Sequence, residues 1–213
     1  MSRLRSTACA LVFGIIWSGS ALSDAHDETE PPIMLTSIDA MDEVYTELQT
    51  IYNDILSAER QIDKAESILI EALGGTTGMG LTESITLFRS DKPADLQIAL
   101  DGSLPRVILG PEPSQEAQTC ASQLTEAITL LQTSKQGLSQ IPPRLTVIQP
   151  HLVRFAKEAP AAGREAGHGT RERLELVRKV EANQATAADL PRRTAQGVKD
   201  ANLALHRIKS LID

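Results

Sequence analysis

The chain has 213 residues, with 21 Lys+Arg against 28 Asp+Glu, a formal net charge of −7, 3% aromatic residues and two cysteines. A disulfide-stapled mini-protein needs more cysteine, a multi-span membrane protein needs several long apolar runs, and a collagen-like chain needs far more Gly and Pro. This composition favours an acidic all-α protein whose helices pack through Leu, Ile, Val and Ala.

Residues 1–23 have the pattern of a secretory signal peptide. Arg3 and Arg5 give a positive start, residues 8–17 are apolar and uncharged, and residues 18–23 supply the small side chains that signal peptidase requires. The apolar run is shorter than the ~20 residues of a transmembrane helix. We therefore expect export to a periplasm or secretion, with an uncleaved N-terminal anchor as the alternative.

An acidic, flexible leader is predicted for residues 24–36, and its first three residues are a candidate metal site. Cleavage after Ser23 leaves Asp24, Ala25 and His26 at the mature N-terminus. A free amine, two amide nitrogens and an imidazole then form the square-planar set that Cu(II) and Ni(II) favour. The three residues resemble the amino-terminal copper- and nickel-binding motif of serum albumins. The resemblance implies such a site for this cleavage only, since cleavage after Ala25 leaves His26 first.

The clearest predicted element is a long helix over residues 37–73. Its apolar residues recur at alternating spacings of three and four, the a/d pattern of a heptad. Thr36 or Ser37 is suited to cap its start, and Gly74 with Gly75 ends it. The seam consists of Met41, Val44, Leu48, Ile51, Ile55, Ala58, Ile62, Ala65 and Leu69.

Residues 74–114 form a less regular hinge region in this interpretation. Apolar residues alternate over 96–100 and again over 107–109, with Asp101-Gly102 as a turn signal between them. A short β-hairpin over 96–109 is consistent with that pattern. Pro105 and the shortness of both arms leave the hairpin open at this point.

A second helix is predicted over residues 115–141, with Cys120 on its apolar seam. If the signal peptide takes Cys9 with it, Cys120 is the single cysteine of the mature chain. A thiol on a helical seam behaves as a small hydrophobe, so burial is expected; an intermolecular disulfide is the alternative. The seam consists of Ala117, Cys120, Leu124, Ala127, Leu131, Ser134, Leu138 and Ile141.

Prolines punctuate residues 142–213 and predict short, broken helices there. Pro142-Pro143, Pro150 and Pro160 suit first-turn positions. Leu174, Val177 and Val180 lead a third helix, and Pro191 opens the last one. The expected architecture is an elongated helical bundle or a set of coiled-coil-like antiparallel helices.

Charge is divided unevenly along the chain. Residues 24–118 hold 19 acids and 5 bases, whereas residues 119–213 hold 9 acids and 14 bases. The two halves can neutralise each other in an antiparallel bundle, the basic residues can form an ordinary solvated helix surface, or the basic half can face an anionic partner such as a membrane surface or an acidic protein. The candidate basic residues are Arg164, Arg171, Arg173, Arg178, Lys179, Arg192 and Arg193.

Motifs of catalysis are absent from the sequence, which has no GxSxG, HExxH, CxxC or EF-hand pattern and no histidine pair at helical spacing. Few aromatic residues and the acidic charge argue against nucleic acid as a partner. We expect a non-enzymatic, exported protein that binds another protein or itself through its heptad seams. The alternatives are a lipid or apolar-ligand carrier at a membrane surface, and a periplasmic copper- or nickel-binding protein.

Overall fold

The computed structural model describes residues 33–76 and 78–212. The predicted all-α bundle with a small hairpin insertion is confirmed. The proposed signal peptide, most of the leader and the candidate metal residues Asp24, Ala25 and His26 lie outside the described residues. The elements in chain order are α1 (Asp39–Ala72), α2 (Leu81–Ser90), β1 (Leu96–Asp101), β2 (Leu104–Leu109), α3 (Gln115–Ser139), α4 (Ile141–Glu165) and α5 (Thr170–Lys209).

The heptad seam of α1 is buried as predicted, because α1 packs along its length against α3. Every predicted seam residue of α1 is buried except Val44, which is half-buried. Every predicted seam residue from Ala117 to Ile141 is buried as well. Gly74 ends this packing by adopting a left-handed conformation with φ 75°, which few other residues tolerate. The two seams therefore face each other within one chain.

Helix α5 connects the rest of the bundle, since it contacts α1, α3, α4 and both strands. It approaches α3 closely at Gly197, where an added Cβ would lie 2.7 Å from Leu138 Cδ1. Absence of a side chain at Gly197 thus allows α5 to pack tightly on α3. Helix α4 packs mainly on α5 and contacts α1 and α3 less. It is consequently an outer helix, with one long face open to solvent.

The prediction that prolines break the C-terminal half is wrong. Helix α4 continues through Pro150 and Pro160, and α5 continues through Pro191. Each proline removes one helical N–H and leaves the carbonyl four residues earlier without its donor. All three prolines are exposed, so these carbonyls can bond to water instead. Apolar burial meanwhile continues across the prolines. In α4 it follows helical spacing through Ile148, Leu152, Phe155 and Ala159.

The β-hairpin is present, and its strands pair from Leu96 with Leu109 to Asp101 with Leu104. Gly102, with φ 61°, and Ser103 form the two-residue turn between them. Leu96 and Ile98 are buried against the bundle, as is Pro105. Helix α2, which no pattern in the sequence analysis predicted, precedes the hairpin and buries Leu81, Ile85 and Phe88.

Residues 33–37 form a strap that is fixed to α5 and to the first turn of α1. The fully buried Asn183 side chain accepts from Met34 N and donates to Met34 O, both at 2.8 Å. Lys179 Nζ donates to Leu35 O at 3.0 Å. The Asp42 carboxylate accepts from the backbone N–H groups of Thr36 and Ser37. Helix α1 therefore begins at Asp39, and neither Thr36 nor Ser37 is its cap.

The acidic and basic halves of the chain do meet in ion pairs. Arg144 of α4 donates to Glu47 at 2.9 Å and to Asp54 at 2.6 Å, both on α1. Arg193 of α5 pairs with Glu59 of α1, and its guanidinium lies over the Tyr52 ring, 5.2 Å from the ring centroid. These contacts support the antiparallel neutralisation expected from the charge pattern.

Candidate functional site

The described residues hold no group of three or more His, Cys, Asp and Glu side chains that could hold a metal ion. Cys120 is buried, and its Sγ lies 3.2 Å from the carbonyl oxygen of Ala72. Burial raises the pKa of the Cys120 thiol to about 11, and Glu116 adds to the shift. A neutral, enclosed thiol is a poor nucleophile, so Cys120 is a core residue as expected.

Three of the seven predicted basic residues make ion pairs within the described part of the chain. Arg193 is engaged with Glu59, Arg192 with Asp189 at 2.8 Å, and Lys179 with both Glu175 and the strap. An anionic partner for the basic half stays a prediction.

An apolar groove of about 470 Å³ lies between α4 and α5. No charged residue lines the groove, in a chain of which 23% of residues are charged. Within it on α4, Val153 is 50% exposed. We call this surface the α4–α5 groove. It is lined by Leu145, Gln149, Leu152, Val153, Gln184, Ala187, Ala188 and Pro191.

The local sequence explains why this groove is open. Small residues, Ala187 and Ala188, occupy the α5 wall where larger side chains would fill the space. Gln184 Nε2 donates to Leu152 O at 2.8 Å and links the two walls. Pro191 has no N–H to offer the carbonyl of Ala187, which is left as an acceptor in the lining. The groove is thus apolar with a few hydrogen-bonding groups, a typical composition for a binding site.

The hairpin carries a second cluster of exposed apolar side chains. Leu100, Leu104, Ile108 and Leu109 are each more than one third exposed. In the described part of the chain β1 and β2 form a two-stranded sheet, so both strands are edge strands. An exposed edge offers unpaired backbone groups as well as side chains.

Sequence reasoning placed the interaction surface on the helical seams, which instead form the core. The α4–α5 groove was missed because its residues belong to a segment interpreted as broken by proline. One available signal was the stretch of α4 from Leu145 to Val153, which contains no Asp, Glu, Lys or Arg. Its residues are apolar apart from Thr146, Gln149 and His151.

Comparison with protein-family models, with curated proteins and with solved structures finds no match to this chain. Within residues 33–76 and 78–212, no helix combines the length and apolar content needed to cross a membrane.

Proposed function

We propose that this is an exported, non-enzymatic helical-bundle protein that binds an amphipathic helix of another protein in the α4–α5 groove. The observation that carries the proposal is the uncharged lining of that groove, together with the exposed Val153 side chain in it. Export rests on the signal-peptide pattern of residues 1–23. The copper or nickel site at Asp24, Ala25 and His26 remains a separate prediction.

A helix fits this groove for geometric reasons. Its two walls are themselves helices, and the lining spans residues 145–153 of α4 and 184–191 of α5, about two turns of each. An incoming helix can place apolar residues at i, i+3, i+4 and i+7 along such a groove. It would also cover Val153 and give the outer helix α4 a neighbour on its open side. The absence of lining charges favours an apolar ridge on the partner.

Site-specific photocrosslinking tests this proposal. A photoreactive residue replaces Val153 in the groove, or replaces Leu174, an exposed apolar residue outside the groove, as the control. Both proteins are expressed with the native leader in cells that produce the protein. The Val153 position is expected to crosslink to a peptide with apolar residues at spacings of three and four. Ala188→Arg, on an exposed part of the groove wall, is expected to abolish that crosslink while leaving the melting temperature unchanged.

Two results would contradict helix binding. One is crosslinking of the same proteins at Val153 and at Leu174, and the other is a crosslink that survives Ala188→Arg.

A small apolar ligand is the second candidate occupant, because the groove volume lies within the range of small-molecule sites. In that case the purified protein retains a lipid that can be extracted from it, or it binds a fluorescent fatty acid added in solution. Val153→Asp is expected to weaken that binding, whereas Leu174→Asp leaves it unchanged. Failure of the purified protein to bind any of these probes would exclude the carrier and leave the helix-binding proposal in place.

A further inference from the structure

The hydrogen-bond phase of the hairpin determines which backbone groups of β1 point outward. Gly110 N donates to Asp95 O at 2.8 Å, so Asp95 and Gly110 form a bonded pair. Bonded and non-bonded pairs alternate along an antiparallel ladder. Gln97, Ala99 and Asp101 therefore bond to β2, and the backbone polar groups of Leu96, Ile98 and Leu100 point away from β2.

One of these outward groups is already used, since Leu96 N donates to Pro93 O at 3.1 Å. Ile98 is buried, whereas Leu100 is 53% exposed. The accessible part of this edge is accordingly centred on Leu100. The edge of β2 is a poorer template for pairing, because Pro105 lies opposite Leu100 and has no outward N–H to donate.

Acidic residues lie at both ends of this edge. Asp95 precedes β1 and Asp101 ends it, and both are exposed. Their odd-numbered positions place them on the face of β1 shared with Gln97 and Ala99. Asp101 pairs with Arg106 at 3.8 Å, and both partners of that pair are exposed to solvent. A second copy of β1 would bring two more aspartates to this edge, whereas a segment with basic ends would complement it.

We infer that the outward edge of β1 binds an extended, basic-ended segment of a partner protein, which adds a third strand to the hairpin. The Leu100 N–H and C=O groups bond to the incoming backbone, and alternate apolar residues of that segment contact Leu100 and its neighbours. Lysine or arginine at the ends of the segment lies near Asp95 and Asp101. This surface is independent of the α4–α5 groove.

A pair of substitutions at one position tests the inference. The probe is a seven-residue peptide that alternates valine and threonine and has lysine at each end, titrated into the isotopically labelled full-length protein and followed by NMR. Leu100→Ala removes the side chain only, whereas Leu100→Pro also removes the outward N–H. Because that N–H does not bond to β2, the amides of Ala99 and Asp101 should stay protected in both variants.

Leu100→Pro is expected to weaken binding by up to about tenfold relative to Leu100→Ala, or about 1.4 kcal/mol, because proline removes the one hydrogen bond that the residue 100 N–H donates to the peptide. A peptide with glutamate at both ends should bind more weakly than the lysine peptide, and salt should reduce the difference.

Equal binding by the two Leu100 variants would overturn strand addition. Preference for the glutamate peptide would overturn the predicted charge of the partner. A dimer in sedimentation that dissociates in Leu100→Pro would instead assign this edge to a second copy of the chain.

Discussion

Asn183→Ala tests the connection between the strap and α5. The Asn183 amide makes two hydrogen bonds of 2.8 Å to the backbone of Met34, and the substitution removes both. Asn202→Ala is the matched control, because Asn202 is an exposed asparagine on the same helix. Both substitutions exchange asparagine for alanine in a helix and gain the same propensity, up to about 0.7 kcal/mol. The difference between the two variants in free energy of unfolding therefore reports the buried contacts of Asn183 alone.

The size of the difference follows from the structure. Two hydrogen bonds of about 1 kcal/mol each give a net loss of about 2 kcal/mol. Detachment of the strap would add the exposure of Ile33, which is now buried against the core. We therefore expect Asn183→Ala to be less stable than Asn202→Ala by at least about 2 kcal/mol, or about 4–8 °C in melting temperature for a chain of this size.

Urea unfolding measures this difference, and hydrogen exchange locates it. The amides of Thr36 and Ser37, which donate to Asp42, should exchange faster in Asn183→Ala than in Asn202→Ala. Stabilities of the two variants within about 0.5 kcal/mol of each other would refute the argument that the amide holds the strap.

Three further predictions concern the core and its charges. Burial raises the pKa of Tyr45 from 10.0 to about 12, and the nearby Asn183 amide, which makes no hydrogen bond to the Tyr45 hydroxyl, reduces this shift in part. Between pH 10 and 12 the folded state keeps a proton that the unfolded state loses, so the free energy of unfolding falls as the pH rises. Tyr45→Phe should lessen that fall in urea titrations. Gly137→Ala, on an open surface of α3, should stabilise by about 1 kcal/mol, whereas Gly197→Ala should not, because its Cβ would meet Leu138. Arg144→Met should cost about 1 kcal/mol at low salt and less at high salt, as measured by urea unfolding.

The parts of the fold that the sequence predicted well are those with uninterrupted periodicity. Apolar residues every three or four positions in α1 and α3 left one possible buried face, and that face is buried. The alternation around Asp101-Gly102 likewise indicated the hairpin. Burial of Cys120 followed from its place on the α3 seam.

Other features could not be predicted because they depend on contacts between distant residues. Whether Pro150 breaks α4 depends on whether the freed carbonyl reaches water and whether Ile148 and Leu152 find α5. Polar Asn183 gave no sign of burial, since its partner is backbone at Met34. The α4–α5 groove is open because, within residues 33–76 and 78–212, no other helix packs on the outer side of α4, which is a property of the assembled bundle.

The bond between Met34 and Asn183 joins residues 149 positions apart in sequence, which has a consequence for biosynthesis. A ribosome makes the strap early and Asn183 late, so the growing chain cannot fasten the strap until most of α5 has emerged. The α1 and α3 seams can pair before then, but the surfaces that α5 covers stay exposed to solvent or to chaperones. Because late, long-range contacts slow folding, the nascent chain should remain an open and protease-sensitive intermediate until its last helix is synthesised.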